Sequence, residues 1–277
     1  MSSSKSNDPR EASSRPELSR RRFLQVAGAS MVVAGAGATA HFSMTSARAQ
    51  GAYKLNVLHI NDMHSRVESI SRFGSTCGGK DLEENKCFGG FGRVATKIWE
   101  RRKALEGENV VTLDAGDQFQ GSLFYTTYKG RVEGEFMNRI GFDLMAVGNH
   151  EFDDGPDVLA DFIDLVEFPV ISGNTKVADG QKLSGKIQEW AVLEVGGEKI
   201  GVLSVLTPDT ATISSPGPNV TIGDDIEYLK DAVTRIRGEG VNKVLLLSHV
   251  GFTRDQEIAA QVEGISAIIG GHSHTLL

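Results

Sequence analysis

Short apolar runs recur along this chain, and each one stops abruptly at a polar loop. Leu55-Asn56-Val57-Leu58-His59-Ile60 is the first, rich in β-favouring residues, and it gives way to Asn61-Asp62-Met63-His64. Residues 109–113 repeat the pattern and deliver Asp114-Ala115-Gly116-Asp117-Gln118-Phe119-Gln120-Gly121, and residues 144–147 deliver Gly148-Asn149-His150-Glu151-Phe152-Asp153. Runs at 169–172, 243–247 and 265–269 follow, the last two ending in Ser248-His249-Val250-Gly251 and Gly270-Gly271-His272-Ser273-His274. Between the runs, apolar positions fall a helical turn apart. Val94, Ile98 and Leu105 predict one helix, and residues 132–140, 157–166 and 226–237 predict others, with Gly141 as a stop. Residues 188–205 have a different texture: two β-favouring stretches flank Gly196-Gly197, a hairpin signature. Residues 207–218, with their Pro, Ser and Gly, read as a loop. Repeated strand–loop–helix units with one inserted hairpin predict an α/β fold, its sheets largely parallel with some antiparallel pairing. No linker or repeat interrupts the chain after residue 50, so one domain is expected there.

Open parallel sheets gather ligands at the carboxyl ends of their strands. Five predicted strand ends carry metal-competent side chains: Asp62 and His64, then Asp117, then Asn149 and His150, then His249, then His272 and His274. Of the seven histidines, His41 lies near the N-terminus, five sit in these loops, and only His59 falls elsewhere. One histidine at a strand end is usually a satisfied polar residue. Five of six is a constellation. Asp-x-His puts two side chains on one side of an extended segment, and His272 with His274 repeats that spacing. Asp117 can bridge two cations, and Asn149 can offer a neutral carbonyl oxygen. This mixture of nitrogen and oxygen donors suits two Zn²⁺ or Mn²⁺ ions better than an all-oxygen Mg²⁺ or Ca²⁺ site. Two such ions about 3.5–4 Å apart serve hydrolysis at phosphorus. His150 then stands ready to act on the phosphoryl group, with Asp153 orienting its ring. Glu151, between them, is expected to brace the loop.

Charge and cysteines narrow the class. Beyond the first 49 residues the chain has 22 Lys/Arg against 33 Asp/Glu, a balance of −11 that argues against nucleic-acid backbone binding. A small phosphorylated substrate is still compatible, because bound cations reverse the local sign. Ser19-Arg20-Arg21-Arg22-Phe23-Leu24-Gln25 resembles the twin-arginine export signal. A mild apolar stretch follows it, and Ala47-Arg48-Ala49 offers a cleavage site. Residues 1–49 are therefore read as a signal carried by the twin-arginine machinery to a periplasmic or secreted location, with no stable membrane anchor. Cys77 and Cys87 flank a charged, glycine-rich loop, and in an exported chain such a pair is expected to form a disulfide.

The five loop motifs, in order, resemble those of the calcineurin-like metallophosphoesterases, and within them the 5'-nucleotidase / UDP-sugar hydrolase family. Leu113-Asp114-Ala115-Gly116-Asp117-Gln118, Tyr128-Lys129-Gly130 and the cysteine-bounded loop look most like segments of the animal ecto-5'-nucleotidases. The resemblance implies a four-layer αββα sandwich with mixed, largely parallel sheets. It implies one metal held by Asp62, His64, Asp117 and His274, a second held by Asp117, Asn149, His249 and His272, and a catalytic dyad of His150 and Asp153. The implied reaction is attack of a metal-bound water or hydroxide on a nucleoside 5'-monophosphate. Related substrates are 2',3'-cyclic nucleotides, UDP-sugars and thiosulfate esters. The family often carries an amide where His274 stands, so an altered metal preference is expected. It also has a C-terminal nucleotide-binding domain. The chain ends three residues after His274, so a fragment, or a metal-loaded domain with little turnover, is expected.

Overall fold

The structure, a computed structural model, describes residues 52–276, and the export signal expected at 1–49 lies outside them. Two four-stranded sheets form its middle. The first has the spatial order β1 (Asn56–Ile60), β2 (Val110–Asp114), β3 (Leu144–Ala146), β4 (Val170–Ile171), all parallel. The second has the order β10 (Ala267–Gly270), β9 (Lys243–His249), β7 (Glu198–Leu206), β6 (Trp190–Val195). In that sheet only β6 and β7 run antiparallel. They meet at Gly196-Gly197, both with positive φ (58° and 80°), as the two-residue hairpin turn demands.

Alternation along the strands sets the layers. Val111 and Leu113 of β2, with Leu245 and Leu247 of β9, point between the sheets and form one core. Their neighbours point outward. Met145, Val147 and Val170 pack under α2 (Phe91–Ala104), α4 (Arg131–Ile140) and α5 (Pro156–Leu165), through Phe91, Met137 and Phe162. Val244 and Leu246 pack under α7 (Asp225–Gly238) and α8 (Phe252–Gln261), through Leu229, Ile236 and Ile258. The result is helix, sheet, sheet, helix, the αββα sandwich expected from the motifs. Truncating one fully buried residue such as Leu247 to alanine would cost ~2–5 kcal/mol.

Some short elements carried no readable periodicity. Thr175–Val177 and Val220–Ile222 form a two-stranded antiparallel ribbon, β5 with β8. α1 (Gly79–Glu83) fills the cysteine loop, α3 (Leu123–Tyr128) precedes α4, and α6 (Thr210–Ile213) interrupts the expected loop at 207–218. Cys77 and Cys87 are disulfide-bonded, with Cα atoms 5.8 Å apart. No helix among the described residues is long and apolar enough to cross a membrane.

Candidate metal centre

The loops after β1, β2, β3, β9 and β10 meet at one end of the two sheets. The β1 and β2 loops stay zipped together beyond their strands: the Asp62, His64 and Ser65 N–H groups donate to Gly116, Asp117 and Gln118 carbonyls at 2.8–3.0 Å. The expected ligands arrive by an unexpected route. Asp-x-His was to converge through the alternation of an extended strand. Instead Asp62 (φ 51°) and His64 (φ 47°) are left-handed, and so are Asp117 (59°), His272 (78°) and His274 (50°). A non-glycine residue there is uncommon, and clusters of such residues mark functional sites held by their surroundings. The tight turns, not the strand period, aim the side chains inward.

Asp117 is the hub. Its Oδ2 lies 3.0 Å from His249 Nε2 and 3.9 Å from His64 Nε2. On one side Asp62, His64 and His274 form a cluster, with His274 Nε2 3.3 Å from Asp62 Oδ1 and 2.9 Å from His64 Nε2. On the other side Asp117, His249 and His272 form a second. Asn149 is buried beside the hub, and its neighbour His150 donates its backbone N–H to Asp117 Oδ1 at 2.9 Å. Gly148 is forced to be glycine, because a Cβ there would fall on the Asp117 carboxylate and 2.8 Å from Glu151 Oε2.

Two details of the second cluster suit a cation. His249 Nδ1 donates to the Ala115 carbonyl at 2.7 Å, so in the neutral ring Nε2 carries a lone pair. Asn149 Oδ1 is buried without a hydrogen-bond partner, and that nitrogen faces the Asp117 carboxylate at 3.0 Å, acceptor to acceptor. Orphaned acceptors that share a buried corner with a carboxylate need a cation or a proton. The donor set therefore fits divalent ions. With a proton in that place, burial opposes the charge on Asp117 and on His249, yet across the 3.0 Å between Oδ2 and Nε2 each holds the other charged: the carboxyl is pulled down to about 2 and the imidazole pushed up to about 9. Burial lowers His64 and His272, keeping them in the neutral, ligating form.

His150 joins His64 and Asp117 in a third grouping, their ligand atoms within 4.8 Å of one another, and Asp153 stands behind it. His150 Nδ1 lies 2.6 Å from Asp153 Oδ2, and the ring sits edge-on to that of His64, centroids 5.0 Å apart. Burial works against protonating His150, but the bond to Asp153 and the charges of Asp117, Asp153 and Glu151 outweigh it and raise its pKa.

Glu151 proves to be a brace in the literal sense. Its fully buried carboxylate accepts four backbone N–H groups: Gly148 (2.6 Å) and Asp117 (2.9 Å) on Oε2, Gln118 (2.8 Å) and Phe119 (3.1 Å) on Oε1. It ties the β3 loop to the β2 loop at the hub. Burial first, and then the Asp117 charge, push its carboxyl up to about 7, against His249 and the backbone donors. Two further residues reach Asp153, Gln120 from within the β2 loop motif and Ser214 from a segment with no sequence signal. Ser214 Oγ donates to Asp153 Oδ1 (2.8 Å), and Gln120 Nε2 donates to Asp153 Oδ2 (3.2 Å).

Comparison with known proteins places this arrangement. The family model described as calcineurin-like phosphoesterase matches residues 55–276. Over 232 residues the chain is 41% identical to snake venom 5'-nucleotidase of Gloydius brevicauda, an alignment covering 83% of this chain and 38% of that protein. The 5'-nucleotidase of Homo sapiens is 39% identical, with 83% and 39% covered. The chain thus spans less than two-fifths of the length of these relatives. Among solved structures, a 5'-nucleotidase precursor from Thermus thermophilus superposes with a TM-score of 0.71 at 40% identity, covering 80% of this chain and 42% of that one. The NAD nucleotidase of Haemophilus influenzae gives a TM-score of 0.71 at 32% identity, with 80% and 39% covered.

Proposed function

This chain belongs to the calcineurin-like phosphoesterase family, and from that premise we propose that it is a metal-dependent phosphoesterase of 5'-nucleotidase type. Its proposed substrates are nucleoside 5'-monophosphates, released as nucleoside and phosphate. One observation carries the reading: five strand ends from two sheets gather ligand clusters around Asp117, with His249 Nε2 against its carboxylate at 3.0 Å and Asn149 Oδ1 buried and unpartnered. Asp62, His64, Asp117 and His274 would hold one ion, and Asp117, Asn149, His249 and His272 the other. Zn²⁺ or Mn²⁺ suits this imidazole–carboxylate–amide mixture. Divalent ions in such a pair supply a water of lowered pKa and neutralise phosphoryl charge.

The chain's own residues do the rest. Asp117 and Asp62 set the negative field that would hold a pair of cations. His249 is locked by Ala115 O so that only Nε2 faces the site. His150, tied through Nδ1 to Asp153, presents its other nitrogen for a hydrogen bond to a phosphoryl oxygen or for a proton to the leaving 5'-oxygen. A location outside the cytoplasm is supported by the Cys77–Cys87 disulfide, a bond that forms and persists outside reducing compartments. Residues 1–49 are proposed as the twin-arginine signal and residues 50–277 as the dinuclear domain.

The test is phosphate release from AMP, UDP-glucose and a 2',3'-cyclic nucleotide, after chelation and after return of Zn²⁺ or Mn²⁺. AMP should be preferred and His150→Ala should lose turnover. Hydrolysis that ignores chelation, or that shows no preference for AMP, removes this reading.

A further inference from the structure

The segment 207–218 connects β7 to β8, carries none of the motif residues and reads as plain loop. Yet it delivers a hydroxyl to the functional centre. Asp153 is a partly buried carboxylate whose two oxygens are both engaged. Oδ2 faces His150 Nδ1 at 2.6 Å and the Gln120 amide at 3.2 Å. Oδ1 accepts a single side-chain hydrogen bond, 2.8 Å from Ser214 Oγ, a residue 61 positions away in sequence. A carboxylate held by one oxygen only can rotate about its Cβ–Cγ bond and exchange the oxygen it offers. Donors on both oxygens fix the plane, and with it the line along which the imidazole is held.

The support behind Ser214 is stiff. Ser214 ends α6, its N–H donating to Thr210 O at 3.1 Å. Thr210 is fully buried and its hydroxyl donates to Thr207 O at 2.8 Å. Thr207 in turn donates its N–H to the His249 carbonyl at 3.0 Å. The hydroxyl is therefore referenced, through three short links, to the β9 end that carries His249. Gln120 is the weaker partner. It is exposed, and its amide is oriented by accepting the Gly121 N–H at 2.9 Å.

We propose that Ser214 is a positioning residue of the reaction: it holds Asp153 so that Asp153 can aim His150 at the phosphoryl group. The proposal rests on the phosphomonoesterase reading of the His150–Asp153 pair, and the experiment separates the two. Steady-state kinetics on AMP are measured for Ser214→Ala, Ser214→Thr, His150→Ala and the Ser214→Ala/His150→Ala double variant, with bound metal and melting temperature recorded for each. Ser214→Ala should lower kcat roughly tenfold, the scale of hydrogen bonds one step removed from a functional group. KM, metal content and melting temperature should stay at wild-type values. Ser214→Thr keeps the hydroxyl and should restore most of kcat. In the His150→Ala background, loss of the hydroxyl should have no further effect. A Gln120→Ala variant should lose less than Ser214→Ala. If Ser214→Ala is silent while His150→Ala is crippled, or if the two losses add in the double variant, the role of Ser214 is overturned and the dyad stands. If His150→Ala itself turns over AMP normally, the dyad falls and the role of Ser214 falls with it.

Discussion

Asp62, His64 and His274 face Asn149, His249 and His272 across the shared Asp117, and the two groups lie at different depths. The His274 side chain is 58% exposed, next to the end of the described chain, while His249 is fully buried. His249 and Asn149 also depend on fixed partners: one on the Ala115 carbonyl, the other on a loop stapled down by Glu151. Among the described residues His274 has no such support from behind, only His64 and Asp62 beside it. A ligand set by rigid, dry surroundings loses little freedom when an ion binds, whereas an exposed side chain on a loop must be ordered by the ion itself. The buried group should therefore hold its cation tightly, and the open group should exchange its cation with solvent.

The hub is the place to abolish this contrast. Asp117→Asn removes a charge that both groups share and leaves His249 buried without its partner. Turnover should fall at least ~10³-fold, the scale seen when residues acting as a unit lose a member, and both ions should be absent by elemental analysis. The contrast itself is tested by single ligand losses. His249→Ala should weaken the tighter ion at least ~100-fold and His274→Ala the weaker ion about tenfold, judged against outer-shell changes of 10–100-fold, by chelator competition. Equal losses would mean that depth does not set affinity here.

Next in size is the staple. Glu151→Gln puts an amide NH₂ against backbone N–H groups that need an acceptor. Denaturant unfolding should show a loss of at least ~2 kcal/mol, with the buried ion released before the exposed one. The smallest effect lies behind the buried group. Asp255 accepts a hydrogen bond from Ser248 Oγ (2.6 Å), one residue before His249, and burial raises its carboxyl to about 6. The unfolded value is about 3.9, so the folded state favours the protonated acid. That stabilisation is complete below about pH 4 and is lost as pH rises through about 6. Thermal melts should show the wild type falling behind Asp255→Asn by only a few degrees or so across that window.

Much of this was legible in the sequence because strand ends announce themselves. An apolar run that breaks into Asp, Asn, Gly or His marks both the strand and the loop, and five such breaks located every proposed ligand. The hairpin was equally plain, since Gly196-Gly197 supplies the two positive φ values its turn requires. Three-residue strands such as Thr175–Val177 have no room for a period and were invisible. Ser214 was invisible for a different reason. Its importance comes only from lying 2.8 Å from Asp153 across 61 residues, and a serine among serines and prolines carries no local mark of that. The ligand geometry was expected for a wrong cause, because the alternation of strands does not extend into the left-handed turns where these residues sit.

Those left-handed turns mean that the protein carries its chemistry against its own durability. At Asp62, His64, Asp117, His272 and His274 the backbone is one that glycine adopts without penalty. In the metal-free protein, glycine at the exposed position 274 would relieve local strain of ~1 kcal/mol. A selection that scored only resistance to heat, with no ions supplied, would drift toward glycine there and toward an inert scaffold. Side chains able to ligate a cation thus stand on turns where a sequence written for robustness alone would carry glycine.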